Sequence, residues 1–202
     1  MIRNIIFDVG NVLVEYSWER MLKALHITGE AYDAVAKATA LSPMWNELDR
    51  SRMSDEAILE GFIQNAPEYE KKIRLVWDNI PESIHCYDYS VEWVRKFKKK
   101  GYKTYILSNY SRRGYEMTKQ ELPFVSDMDG VVFSFEVCQT KPEPEIYQTL
   151  FEKYNLKPEE CVFMDDNEKN VIAAREAGMQ AIWFKNKEQA ETELEKLGVD
   201  IS

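Results

Sequence analysis

The sequence predicts a three-layer α/β sandwich: a Rossmann-like parallel sheet with an α-helical segment inserted after its first strand. Three observations carry this prediction. Ile5-Ile6-Phe7 is an apolar run without alternation, which suits a strand buried on both faces of a parallel sheet. From Asp88 onward helix and strand patterns alternate, which calls for right-handed parallel crossovers. Between Tyr16 and Pro81 the chain carries helix signals and no strand signal.

The first strand ends on a carboxylate, Asp8, with Gly10 two residues later. Ligands of open α/β sheets sit at the carboxyl ends of strands, so Asp8 stands where chemistry is expected. An acid there serves as metal ligand, general base or nucleophile. A lone Asp after a strand more often caps a turn, so the weight falls on what accompanies it.

The helical stretch begins at Ser17, which opens a short amphipathic helix over Glu19-Arg20-Met21-Leu22, and residues 30–40 are alanine-rich. Ser42 caps a helix with Pro43 at its first position. Ser54 opens another, with Ile58, Leu59, Phe62 and Ile63 on one face. Pro67 stops it, and residues 69–78 supply one more. Residues 15–85 therefore read as a helical cap domain, and 1–14 with 86–202 as the core domain. The cap is small for a unit that folds alone.

In the second half Val91, Val94 and Phe97 mark a helix ending in lysines and Gly101, a C-terminal cap. Residues 103–107 form the second strand, ending on Ser108-Asn109, and a helix over 113–122 follows. The third strand is 130–134, with a helix over 144–154. The fourth is 161–164, ending on Asp165-Asp166, with a helix over 168–177 closed by Gly178. Residues 181–184 are the fifth.

Three strands thus end in polar groups: Asp8, Ser108-Asn109 and Asp165-Asp166. A loop, Gln139-Thr140-Lys141-Pro142, adds a lysine just before a helix. Singly, each reads as a turn, an N-cap or an exposed loop. Jointly, they suit attack of a carboxylate on a phosphate dianion, which needs the negative charge neutralised. Asp8, Asp165 and Asp166 suit one Mg²⁺, an oxygen-preferring ion that bridges nucleophile and phosphate. Ser108 and backbone N–H groups suit the non-bridging oxygens, and Lys141 offsets charge on phosphate and nucleophile together.

Phe7-Asp8-Val9-Gly10-Asn11-Val12, Leu107-Ser108-Asn109, Lys141-Pro142 and Met164-Asp165-Asp166-Asn167 resemble motifs I to IV of the haloacid dehalogenase-like hydrolase superfamily. Their order and spacing match over nearly the whole chain, including a helical cap after motif I. The resemblance implies Asp8 as the nucleophile that becomes an aspartyl-phosphate, and Ser108, Asn109 and Lys141 as phosphate binders. It implies Mg²⁺ held by Asp8, Asp166 and the main-chain carbonyl of Gly10, with Asp165 assisting and Asn170 orienting the aspartates. It also implies the strand order 5-4-1-2-3. Residues 7–12, with Trp45 and Ser54-Asp55-Glu56-Ala57 in the cap, resemble a subgroup that includes bacterial α-D-glucose-1-phosphate phosphatases.

One position departs from the pattern. Phosphatases of this superfamily usually carry a second Asp two residues after the nucleophile, as acid for the leaving group and base for water. Gly10 stands there, where general acid–base help is typically worth ~10²–10⁴-fold. Without that carboxylate, turnover is expected to depend steeply on the leaving group and to be limited by hydrolysis of the intermediate, unless another residue, such as one from the cap, supplies the proton.

The leading expectation is a Mg²⁺-dependent phosphatase for a small sugar phosphate, such as a sugar 1-phosphate. The alternatives are a 2-haloacid dehalogenase, whose halide leaves without a proton, and a catalytically impaired protein that binds a phosphorylated metabolite. Trp18, Trp45, Arg50, Arg52 and Trp77 are the residues of the cap suited to face a substrate. The net charge of −9 argues against nucleic acid and anionic membrane as partners. Three scattered cysteines and the lack of a signal peptide or long apolar segment point to the cytoplasm. A monomer or weak homodimer is expected.

Overall fold

A computed structural model describes residues 1–202. Seven strands form: β1 (Asn4–Phe7), β2 (Val14–Tyr16), β3 (Ile84–Cys86), β4 (Lys103–Ser108), β5 (Gly130–Phe133), β6 (Cys161–Asp165) and β7 (Gln180–Trp183). Five of them make one parallel sheet in the order β5-β4-β1-β6-β7. Numbered along the chain and read from β7, these five follow the expected order 5-4-1-2-3. β1 lies at the centre, with Phe7 paired to Ile106 on one side and Met164 on the other. That register brings Asp8, Ser108 and Asp165 to the same end of three neighbouring strands.

The unbroken apolar run of β1 is explained by its two buried faces. Ile5 and Phe7 pack with Trp93, Val94 and Phe97 of α6 (Ser90–Lys99) and Leu194 of α11 (Lys187–Lys196). Ile6, between them, points the other way, to Ile146, Tyr147 and Leu150 of α9 (Pro144–Tyr154) and Val171 of α10 (Glu168–Glu176). Each such side chain removed from water contributes about 1.5–3 kcal/mol, which fixes the strand register.

Between β2 and β3 run α1 (Trp18–Ala24), α2 (Glu30–Ala38), α3 (Pro43–Arg50), α4 (Asp55–Asn65) and α5 (Glu70–Asp78). They enclose an apolar cluster of their own, including Met21, Leu22, Ile58, Phe62, Ile73 and Trp77. Ser17, Ser42 and Ser54 cap α1, α3 and α4 by accepting from backbone N–H groups, as their positions predict. β2 and β3 pair with each other, antiparallel, so the chain leaves for the helices and returns along one two-stranded ribbon.

Several boundaries differ from the expectation. Val14–Tyr16 is a strand, because its partner Ile84–Cys86 supplies the pairing that three residues cannot signal alone. α2 stops at Ala38, where the Thr39 hydroxyl bonds back to the Val35 carbonyl. The helix expected to reach Leu122 is α7 (Arg112–Thr118), followed by a 3₁₀ turn over Lys119–Glu121 ahead of Pro123. Two helices lay outside the expectation: α8 (Ser134–Val137) and α11, capped by Asn186. No helix is long and apolar enough to cross a membrane.

Candidate active site

Asp8 follows β1 directly and is buried. Its Oδ1 accepts from the Val9 N–H at 2.7 Å and lies 2.9 Å from Lys141 Nζ. Lys141 comes from the loop before α9 and is itself 4 % exposed, with its ammonium 2.6 Å from Asp165 Oδ2. One buried cation therefore bridges carboxylates at the ends of β1 and β6. Asn109 holds this lysine in place: its Nδ2 donates to the Lys141 carbonyl at 3.0 Å, and its Oδ1 accepts from the Lys141 N–H at 2.8 Å. The Asn109 side chain is thus committed to Lys141 and its carbonyl accepts from Ser108 Oγ at 3.5 Å, which leaves its N–H for a ligand.

Asp165 is fully buried and its two oxygens are already occupied. Oδ1 accepts from the Asn167 N–H at 2.8 Å, Oδ2 from Lys141, and the Asn170 amide donates to both at 3.1 Å. Asp166, next in the chain, is less enclosed. Its Oδ2 accepts from the Asn11 amide at 2.8 Å, and its carbonyl accepts from Trp183 Nε1 at 2.9 Å. Ser108 is buried at the end of β4, where its hydroxyl helps to lower the Asp8 pKa.

Asp8, Asp165 and Asp166 each bring an oxygen into one group lying within 4.8 Å. A compact, hard, all-oxygen donor set of this kind fits Mg²⁺. The hydrogen bonds sort the donors: Asp165 is saturated by orienting contacts, whereas Asp8 and Asp166 each keep an oxygen outside the bonds described. The turn bonds from Asn11 N to the Val14 carbonyl and from Val14 N to the Val9 carbonyl also bypass the Gly10 carbonyl.

Sequence reasoning assigned no role to Asn11. It has φ +54°, a left-handed conformation that asparagine tolerates better than most residues, and its side chain ties the turn to both Tyr16 and Asp166. Gly10 is not the residue in the left-handed region, and an added Cβ would meet only Tyr16 Cβ at 3.8 Å, an ordinary contact. Its lack of a side chain is therefore not imposed by the turn.

A cavity of about 220 Å³ opens above these groups, walled by Tyr16, Trp45, Ile84 and Tyr110 and bordered by Asp49 of α3. Of the five helical-segment residues suited to face a substrate, Trp45 alone lines it. Trp18 packs against Tyr32 and Trp77 lies in the helical cluster. Arg50 is bound to Glu143 and Thr140, and Arg52 lines a separate concavity beside them. Arg113, in the first turn of α7, stacks over Trp77 and donates to its carbonyl.

Burial pushes the Asp8 carboxyl up to about 7, opposed by Lys141 and reinforced by Asp165 and Asp166. Burial likewise raises Asp166. For Lys141 burial acts downward, but the carboxylates of Asp165 and Asp8 outweigh it and hold the ammonium above its ordinary range. A folded-state carboxyl pKa raised from 3.8 to about 7 means that, between those values, the folded chain binds more protons than the unfolded one. Stability from this group is therefore present at low pH and lost as pH rises through that window. In chelator, the melting temperature of the wild type relative to Asp8→Asn should fall between pH 4 and pH 7, as thermal scans across pH will show. A flat difference would mean that Asp8 ionises at no cost.

The description of the haloacid dehalogenase-like hydrolases matches residues 2–178. Pyrophosphatase PpaX of Bacillus cereus is 27% identical over 179 residues, covering 88% of this chain and 80% of that one. A HAD-family enzyme of Bacteroides thetaiotaomicron, solved with magnesium and inorganic phosphate, superposes with a TM-score of 0.74 at 24% identity, covering 92% of this chain and 95% of that one. L-2-haloacid dehalogenase of Xanthobacter autotrophicus gives 0.67 at 16% identity, covering 99% and 85%. At these identities the two structures share a fold with this chain and no more. The family match spans the catalytic-type turn, the helical stretch and all but the last strand, and the chain belongs to the haloacid dehalogenase-like hydrolases.

Proposed function

We propose that this hydrolase is a Mg²⁺-dependent phosphatase for a small sugar phosphate, working through an aspartyl-phosphate on Asp8. The observation that carries the reading is the buried Lys141 bridge between Asp8 and Asp165 beside a free-edged Asp166. Bound between Asp8, Asp166 and the Gly10 carbonyl, the metal would neutralise charge between nucleophile and phosphate. Lys141 orients Asp8 through Oδ1 and offsets charge on the nucleophile and the transferring group together. Ser108 and the main chain at Asn109 offer donors to the phosphate oxygens. Asp165 acts through Lys141 and the turn at Asn167 rather than on the substrate.

The core comprises 1–14 and 86–202, and 15–85 is the cap whose Trp45 faces the leaving group. The cavity walls favour a sugar over inorganic pyrophosphate, although curated relatives bear the pyrophosphatase name. A second phosphoryl group needs further cations, and Lys141 is the one cationic residue lining the cavity. Aromatic planes such as Trp45 and Tyr16 suit the apolar faces of a sugar ring. A dehalogenase has no use for three clustered carboxylates.

Phosphate release from a panel of sugar phosphates, p-nitrophenyl phosphate and pyrophosphate, with Mg²⁺ and with chelator, tests the proposal. Release should require Mg²⁺ and favour sugar phosphates over pyrophosphate. In titration calorimetry Asp166→Ala should lose Mg²⁺ affinity by more than the ~10–100-fold typical of an orienting residue, and Asp165→Asn should lose about that much. Full activity in chelator, with chloride released from 2-chloropropionate, would replace this reading with the dehalogenase.

A further inference from the structure

Asp49 sits in the last turn of α3 and lines the same cavity as Asp8. Its carboxylate makes no hydrogen bond or ion pair with Asp8 or any other group, although its neighbours are held tightly. The Asp49 carbonyl accepts from Ser134 Oγ at 2.7 Å, and Arg50 Nη1 donates to Glu143 Oε2 at 2.8 Å. The Ser51 hydroxyl donates to the Leu48 carbonyl and accepts from the Arg112 N–H. The Asp49 carbonyl and the side chains of Arg50 and Ser51 thus fix the helix end on the core, while the Asp49 carboxylate is left without a partner. A carboxylate in that condition is available to a ligand.

The site also lacks a proton carrier. Gly10 places no side chain in the cavity, Lys141 is committed to two carboxylates, and Asp165 is saturated. Titratable groups facing Asp49 are Asp8 and Lys141 from the core, and the hydroxyls of Tyr16 and Tyr110 at its sides. Burial first, and then the charge of Asp8, pushes the Asp49 carboxyl up to about 7, against Lys141. A group balanced there gives and takes a proton near neutral pH. Burial, the larger cause, remains when a cation at Asp8 reduces the second.

We infer that Asp49, from the helical side of the cavity, is the general acid and base of the reaction, in place of the carboxylate absent at Gly10. The inference rests on the phosphatase reading above. In the first step an Asp8 oxygen bonds to phosphorus, the bond from phosphorus to the leaving oxygen breaks, and the Asp49 proton passes to that oxygen. The leaving oxygen departs on the side away from the attacking one, into the cavity that Asp49 lines. In the second step the Asp49 carboxylate takes a proton from water as its oxygen bonds to phosphorus. The bond from phosphorus to Asp8 breaks, leaving phosphate, the Asp8 carboxylate and protonated Asp49.

The test compares wild type and Asp49→Asn with Mg²⁺ on p-nitrophenyl phosphate and on a simple alkyl phosphate. For the alkyl phosphate kcat/KM should fall by ~10²–10⁴-fold, because its alcohol must be protonated to leave. For p-nitrophenyl phosphate it should fall far less, so the ratio of the two should move by more than tenfold. That ratio is read within one preparation, so any unfolded fraction cancels. The variant should also release p-nitrophenol in a burst, since hydrolysis of the intermediate loses its base, whereas the wild type should show none. An unchanged ratio, or a burst in the wild type, overturns the role of Asp49 and leaves the phosphatase reading intact. No phosphate released by the wild type from any substrate overturns both.

Discussion

Asp8→Asn is expected to lower turnover by on the order of 10⁴-fold or more, the scale on which removing a covalent nucleophile acts. Asparagine keeps the size and the hydrogen bond from the Val9 N–H, yet its amide oxygen does not form the acyl-phosphate. The fold should not suffer. Burial and two neighbouring carboxylates hold the Asp8 carboxyl up to about 7, so at pH 8 the wild type carries an ionised group at a cost. Asparagine removes that cost, and Lys141 keeps Asp165 at 2.6 Å as its partner. The metal-free variant should therefore melt at the same temperature as the wild type or higher at pH 8. Phosphate release and thermal scans on one preparation check both halves. Retained turnover in the folded variant would exclude the aspartyl-phosphate.

Lys141→Met should have the largest effect on stability. The Lys141 side chain is 1 % exposed, and its ammonium is the cation shared by Asp8 and Asp165, with Asp166 alongside. Methionine fills much of the volume but leaves buried negative charge uncompensated, which typically costs about 3–5 kcal/mol. At about 2–4 °C per kcal/mol for a chain of this size, the melting temperature at pH 8 should drop by roughly 6–20 °C. Two conditions should narrow the gap. Acid protonates the carboxylates, and Mg²⁺ supplies positive charge in place of the ammonium. Activity should be lost even where stability is restored, because the phosphate loses its cation. A shift under 2 °C in chelator at pH 8 would mean that the carboxylates share charge some other way.

The sheet and most of the site were readable from the chain because both obey short-range rules. Ile5-Ile6-Phe7 carries its two-sided burial in its composition, and Asp8, Ser108 and Asp165 were marked by standing where apolar runs stop. The strand order, which the family resemblance implied, brings those ends together. Residues whose role depends on distant packing were not readable. Asp49 lies between Leu48 and Arg50 on an amphipathic helix, where a carboxylate looks like solvated surface; only the docking of α3 against Ser134 turns it inward. Trp18 and Trp77 have the same composition signal as Trp45, and packing alone separates them. Asn11 did leave a trace, since asparagine after glycine in a turn is a common left-handed residue. α11 was missed because its apolar positions are few, Ala190 and Leu194 being the buried pair.

The ribbon of β2 and β3 bears on how the sheet assembles in time. β1 pairs with β4 across roughly a hundred residues of chain, a long loop to close before any ladder contact rewards it. The helices between Trp18 and Asp78 make most of their contacts among themselves and at short sequence separation. When they assemble first, Val14 and Cys86 arrive side by side as register partners. The remaining loop between β1 and β4 then shrinks to roughly thirty residues, which lowers the closure cost by about 1 kcal/mol. The inserted helices, which lengthen the chain between the two central strands, thus also shorten the search by which those strands meet.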